Sequence, residues 1–235
     1  MYIKYLSTLI LIFNSHIIFG QIYDDEQAHF KTNWKQIDQE NFKLIFPESF
    51  EKSAQSLAQE MQQFINISSQ DLQIKPRKIT YILQANHVEQ NGYVQLAPRK
   101  SELYPVPSST ADNQPWLANL ALHESRHVVQ FDKLTGKIKG PFFEQIALAL
   151  FGLNLPAWYF EGDAVQMETL FSAGGRGRLP AWDMPLRSNI LAGKAYDFNK
   201  YTLGSYRDIV PSYYTIGYFI NSHLSNHYGH NSHEK

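Results

Sequence analysis

The chain contains no cysteine. That excludes a disulfide framework, a thiolate metal site and a lipid anchor through a Cys. It also lacks an excess of either charge: 21 Lys and Arg stand against 22 Asp and Glu, a formal net charge of −1. The balance gives no overall pull towards nucleic acid or an anionic membrane. An uninterrupted run long enough to span a bilayer is missing too, since the apolar stretch from Leu6 to Phe19 is broken by Ser, Thr, Asn and His. With Lys4 before it and Gly20-Gln21 after it, the segment 1–20 reads instead as a secretory signal peptide cleaved before Gln21. The expected location is therefore outside the cytoplasm: periplasm, cell surface or medium. What the sequence does have is apolar material. Hydrophobic residues make up 43% of 235, enough for the core of one large domain or of one domain in two lobes.

The most informative stretch runs from Trp116 to Glu168. Leu117, Leu120, Val128 and Phe131 recur at helical spacing, and no Gly or Pro interrupts Trp116 to Thr135. Within that run, His123, Glu124 and His127 form H-E-x-x-H. On a helix, positions i and i+4 lie one turn apart on one face. Two imidazoles can then take two corners of a zinc tetrahedron while Glu124 flanks the open position as general base. The extended pattern H-E-x-x-H-x-x-G-x-x-H is not met, because Gln130 and Lys133 occupy the Gly and third His positions.

A second helical segment carries Trp158, Glu161, Gly162, Ala164 and Glu168. Read as W-x-x-E-G-x-A-x-x-x-E, it resembles the gluzincins, zinc peptidases whose third ligand is a glutamate on a second helix. The resemblance implies Glu161 as third ligand and Glu168 as the carboxylate orienting a ligand histidine. It further implies an α+β, zincin-like two-lobe metallopeptidase: an amino-terminal mixed sheet with helices over 21–115, and a mainly helical lobe over 116–235. The chain is also similar to the peptidase-MA-like exported bacterial proteins, in which such a domain often precedes a TolB-like β-propeller. No propeller repeats occur here, and the end after His-Glu-Lys suggests a truncated chain. Between His127 and Glu161 lie 33 residues, longer than is usual in thermolysin-like or aminopeptidase-like gluzincins. Asp132 and Glu144 therefore stay open as alternative ligands. Asp132, about 500° around the helix from His127, is off the ligand face.

Around this centre, Asn41 to Pro47 and Lys78 to Leu83 read as strands, with an amphipathic helix over Ser49 to Ile65 between them. Asn91-Gly92 signals a turn. Tyr93, Val94, Gln95, Leu96 and Ala97 form a short strand before Pro98, to which the resemblance assigns main-chain binding of the substrate. Tyr104 to Pro115 is a loop. The apolar run 142–155 is expected as an extra core helix; a flap touching membrane or a partner is the alternative. Ala173-Gly174-Gly175-Arg176-Gly177-Arg178 lacks phosphate-loop spacing and is expected to be a mobile connection near the site. Tyr214 and Gly217 resemble the Y-x-x-G helix of aminopeptidase-like gluzincins, which makes Tyr214 the oxyanion donor. His223, His227, His230 and His233 are expected in a solvated tail.

The expected function is zinc-dependent peptide hydrolysis. Zinc polarises the scissile carbonyl and lowers the pKa of water towards 7, and Glu124 moves the proton. The amine-binding G-x-M-E-N motif of the aminopeptidase relatives is absent near Asn91 to Pro98, so an endopeptidase is expected. The alternative is a non-catalytic metal-containing binding or assembly module.

Overall fold

The structure is a computed structural model and describes residues 28, 30–88, 90–96, 98–107, 115–152 and 154–229. The expected signal peptide, Ala97, His230 and His233 lie outside the described residues. The compact unit of interest begins at Lys31. Its described residues form a mixed α/β structure with a five-stranded sheet and seven α-helices.

The strands are β1 (Trp34–Asp38), β2 (Phe42–Pro47), β3 (Ile79–Leu83), β4 (Gly92–Leu96) and β5 (Arg99–Leu103). Their order in the sheet is β1-β2-β3-β5-β4. β2, β3 and β5 are parallel, while the two edge strands β1 and β4 run antiparallel to their neighbours. Strict alternation sets the register. Phe42, Leu44 and Phe46 of β2 and Ile79, Tyr81 and Leu83 of β3 all point into one core.

That core is closed by two helices, α1 (Glu51–Gln70) and α2 (Trp116–Thr135). α1 buries Ala54, Leu57, Met61 and Ile65, an i, i+3/i+4 stripe. Each large apolar side chain so buried contributes roughly 1.5–3 kcal/mol. α2 gives Leu120, Ala121 and Val128 to the same core. The Tyr81 hydroxyl lies 2.9 Å from Ser125 Oγ, joining the middle of the sheet to α2 within two residues of both histidines.

The remaining helices are α3 (Pro141–Gly152), α4 (Ala157–Leu170), α5 (Pro180–Leu191), α6 (Phe198–Leu203) and α7 (Tyr213–Tyr228). α2 is buried nearly all round from Asn119 to Gln130 because the sheet and α1 flank it on one side and α3 and α4 on the other.

Several expectations are corrected. Gly92 opens β4 rather than forming a turn, and at the other end of the strand Leu96 pairs with Arg99 of β5. α3 is no core helix: Phe142, Phe143 and Leu150 are 70%, 63% and 62% exposed, while Glu144 and Ala147 face inward. The cause is an ion pair between Glu144 and Arg77 that fixes which side of α3 is buried. His223 and His227 belong to α7, exposed on its last turns, rather than to a tail.

Candidate metal centre

α2 presents His123 and His127 one turn apart, and the first turn of α4 brings Glu161 against them. His123 Nε2 is 3.2 Å from His127 Nε2 and 3.2 Å from Glu161 Oε2, and His127 Nε2 is 3.3 Å from the same oxygen. These three residues are the ligand-capable cluster found among the described residues. Donors held about 2.0–2.1 Å from a tetrahedral ion are separated by about 3.3–3.4 Å along each edge. The triangle therefore has the dimensions of one face of such a tetrahedron. The residues fit a metal of the zinc type.

The groups behind the imidazoles orient them. His127 Nδ1 lies 2.8 Å from Gln130 Oε1, whose amide is turned by Gln130 Nε2 donating to Asp163 Oδ2 (2.6 Å) and to the Phe160 carbonyl (3.1 Å). His123 Nδ1 lies 3.1 Å from Glu168 Oε2. His127 Nδ1 thus faces an acceptor, whereas His123 Nδ1 lies between the Glu168 carboxylate and a donor, Arg176 Nη2 at 2.9 Å; both Nε2 atoms point at Glu161. Two imidazole nitrogens and a carboxylate oxygen converging in a buried site call for a positive charge between them, which a proton or a metal ion can supply. The pKa shifts express the same demand. Burial alone lowers His127, but the hydrogen bond and charge of Glu161 outweigh it and raise the imidazole to about 9. Burial raises Glu161, yet the two histidines pull its carboxyl far below the usual range.

Glu168 is buried and is held in turn by Arg176. Arg176 donates to Glu168 Oε1 from its backbone N (3.0 Å) and Nε (2.7 Å), and to Oε2 from Nη2 (3.0 Å). Burial pushes Glu168 up, but the Arg176 charge and the His123 contact bring it down to about 2. The same guanidinium lies over the Tyr214 ring, 5.1 Å from its centroid. The expectation of a mobile connection at 173–178 is corrected: the segment is fastened to the end of α4. Arg178 donates to the carbonyls of Gly174 (3.0 Å) and Thr169 (2.6 Å), and Gly177 N donates to Thr169 Oγ1 (3.2 Å). Gly175 makes the turn at φ +91°, where a Cβ would sit 2.7 Å from Thr169 Cα.

The centre opens into a cleft of about 470 Å³. Glu124 projects into it from α2, buried, with Oε2 lacking a hydrogen-bond partner among the described residues. Burial raises its carboxyl pKa, although both histidines act against the rise. Asn119, one turn earlier, also lines the cleft with an unpartnered Oδ1. Gly92, Tyr93 and Val94 of the edge strand β4 form one wall. A Cβ on Gly92 would lie 2.8 Å from Glu124 Oε1, so strand and carboxylate approach as closely as a glycine allows. Gln95 and Leu96 continue β4 outside the cleft lining. Tyr214 closes another side, its ring stacked on His123 at 6.5 Å between centroids.

The two competing acids are elsewhere. Asp132 accepts hydrogen bonds from Arg77 (Nη2, 2.6 Å) and Arg99 (Nη2, 2.8 Å), and Glu144 pairs with Arg77. Neither reaches the histidines. Sequence reasoning missed Asn119, Arg126, Asp163 and Arg176. No local pattern marked Arg126, which shares its helix face with Asn119, His123 and Gln130; burial permits its cation only beside acids. It forms bidentate pairs with Asp71 (2.6 and 2.8 Å) and Asp163 (2.6 and 3.0 Å).

Comparison of the chain with known family models, with curated proteins and with solved structures found no match. The chemistry is accordingly read from the site's own atoms.

Proposed function

We propose that this protein is a zinc-dependent endopeptidase of the gluzincin type, with a zincin-like fold, acting outside the cytoplasm. The observation that carries the reading is the donor triangle of His123, His127 and Glu161 beside the buried Glu124 carboxylate, whose Oε2 has no hydrogen-bond partner among the described residues. When bound there, zinc supplies Lewis-acid polarisation of a carbonyl and a lowered pKa for water. Glu124 accepts the proton of the attacking water and delivers it to the departing amine, within reach of any carbonyl held over His123 and His127. The Tyr214 hydroxyl, kept protonated by burial and by the Glu161 charge, donates to the oxygen that becomes negative. Glu168, with Arg176, and Gln130 stand behind the two imidazoles and orient their Nε2 atoms towards Glu161. The edge strand β4 offers backbone groups to an extended peptide lying along the cleft.

A purely structural metal site would be closed by a fourth protein ligand. An uncommitted Glu124 at the open side favours catalysis over the binding-module reading. Hydrolysis of an internally quenched peptide library separates the two readings. Cleavage that chelator stops and zinc restores supports the proposal. Absence of cleavage in zinc-loaded protein contradicts it.

A further inference from the structure

The balanced charge of the whole chain conceals a local asymmetry. Between Lys133 and Phe160 the only acid is Glu144, which is buried and paired with Arg77. The same stretch carries Lys137 and Lys139, both exposed, immediately before α3. α3 itself is packed inside out. It buries Glu144 and Ala147 and presents Phe142, Phe143, Ile146 and Leu150 to solvent. Positions 142, 146 and 150 are successive i+4 steps, with 143 beside them, so these side chains make one continuous stripe. Ile138, 40% exposed, extends it back among the lysines. A soluble surface seldom carries such a stripe without something that covers it.

The charge pattern selects the occupant. An isologous contact with a second copy needs a self-complementary patch, and a rim of lysines with no exposed acid in the segment is not one. A bilayer interface meets both features: aromatic and aliphatic side chains enter the boundary of headgroups and acyl chains, while lysines meet anionic headgroups. At 12 residues, α3 is about 18 Å long, well short of the roughly 30 Å hydrocarbon core. No described helix is long and apolar enough to cross a membrane. The geometry points to α3 lying flat on an anionic lipid surface, with Lys137 and Lys139 at the headgroups. Because α3 also touches β4, docking brings the wall of the cleft close to that surface. The inference is independent of the peptidase reading.

The test is sedimentation of the full chain with phosphatidylcholine vesicles, with and without phosphatidylglycerol. All proteins compared keep the same residues 1–30, so any contribution of that segment is common to them. The wild type is expected to bind the anionic vesicles. The Phe142→Ser/Phe143→Ser variant is expected to lose at least about tenfold in partitioning, given the transfer energy of two phenyl groups. The Lys137→Ser/Lys139→Ser variant is expected to lose the preference for phosphatidylglycerol. Both pairs are exposed, so the thermal midpoint is expected to stay at the wild-type value. A wild type that ignores vesicles, or partitioning unchanged by the Phe142 and Phe143 substitutions, overturns the inference. So does a wild-type dimer that these substitutions convert to monomer without any lipid binding.

Discussion

Glu124 differs chemically from the other acids of the centre. Glu161 and Glu168 are each held by cations or imidazoles, whereas one Glu124 oxygen has no hydrogen-bond partner among the described residues. A buried carboxylate with an unused acceptor is costly to keep, and the proposed role as base in the cleft it shares with the donor triangle gives a reason. Glu124→Gln preserves shape and removes the base. Peptide cleavage is expected to fall by at least about a hundredfold, with zinc content unchanged. A variant retaining full activity would show that Glu124 is not the base. Arg176 belongs to the same scale, because it fixes Glu168 through three hydrogen bonds. Arg176→Met is expected to weaken zinc binding by about 10–100-fold, the usual effect of losing a group behind a metal ligand. Competition with a chromophoric chelator measures it. The H-E-x-x-H residues were legible because their spacing is local. Arg176 was not, since its partner sits eight positions back and is reached only through the turn at Gly175.

At the scale of elements, two glycines decide how α4 meets α7. A Cβ on Gly162 would lie 2.1 Å from the Gly217 carbonyl carbon, and one on Gly217 would lie 2.0 Å from the Trp158 carbonyl oxygen. The helices therefore touch backbone to backbone at one crossing, and that contact sets Glu161 on one helix against Tyr214 on the other. Gly217→Ala must push them apart. The expected cost is about 1–3 kcal/mol or more in urea unfolding, together with a loss of cleavage larger than the loss of zinc affinity. Stability equal to wild type would mean that the crossing is less tight than described. Each glycine was visible within its own motif, but that they meet each other was not, because no local pattern encodes a contact 55 positions apart. The same limit hid β1 and β5. Their sequences, WKQID and RKSEL, are polar, and Ser101 and Glu102 of β5 are buried by neighbouring strands rather than by hydrophobicity. β2, β3 and α1, by contrast, announced themselves through apolar periods of two and of 3.6.

Across the described residues, two ion networks, largely buried, flank the candidate metal centre. In one, Arg126 ties the end of α1, through Asp71 and the Ser68 carbonyl, to Asp163 on α4. Gln130 extends that network to His127. In the other, Arg77 and Arg99 clamp Asp132, and Arg77 adds Glu144, which joins the sheet side to the end of α2 and to α3. Arg126→Met leaves two acids without their cation and is expected to destabilise the fold by about 3–5 kcal/mol, read from urea unfolding. A loss under about 1 kcal/mol would show that the fold does not depend on this buried pairing. Neither network could be foreseen, since a buried charge is recognised only once its partners are known. They also explain why Asp132 and Glu144, acceptable ligands by residue type, are unavailable to a metal.

The central claim is that His123, His127 and Glu161 together hold zinc. The most direct measurement is zinc affinity, by competition with a chromophoric chelator, for the wild type and for Glu161→Ala and Glu40→Ala. Glu40 is an exposed acid paired only with Lys75 among the described residues, so its variant controls for a general effect of removing a carboxylate. The account predicts stoichiometric zinc in the wild type and in Glu40→Ala, and a loss of two or more orders of magnitude for Glu161→Ala, since a direct ligand matters more than the groups behind it. Equal zinc affinity in Glu161→Ala and the wild type would contradict it.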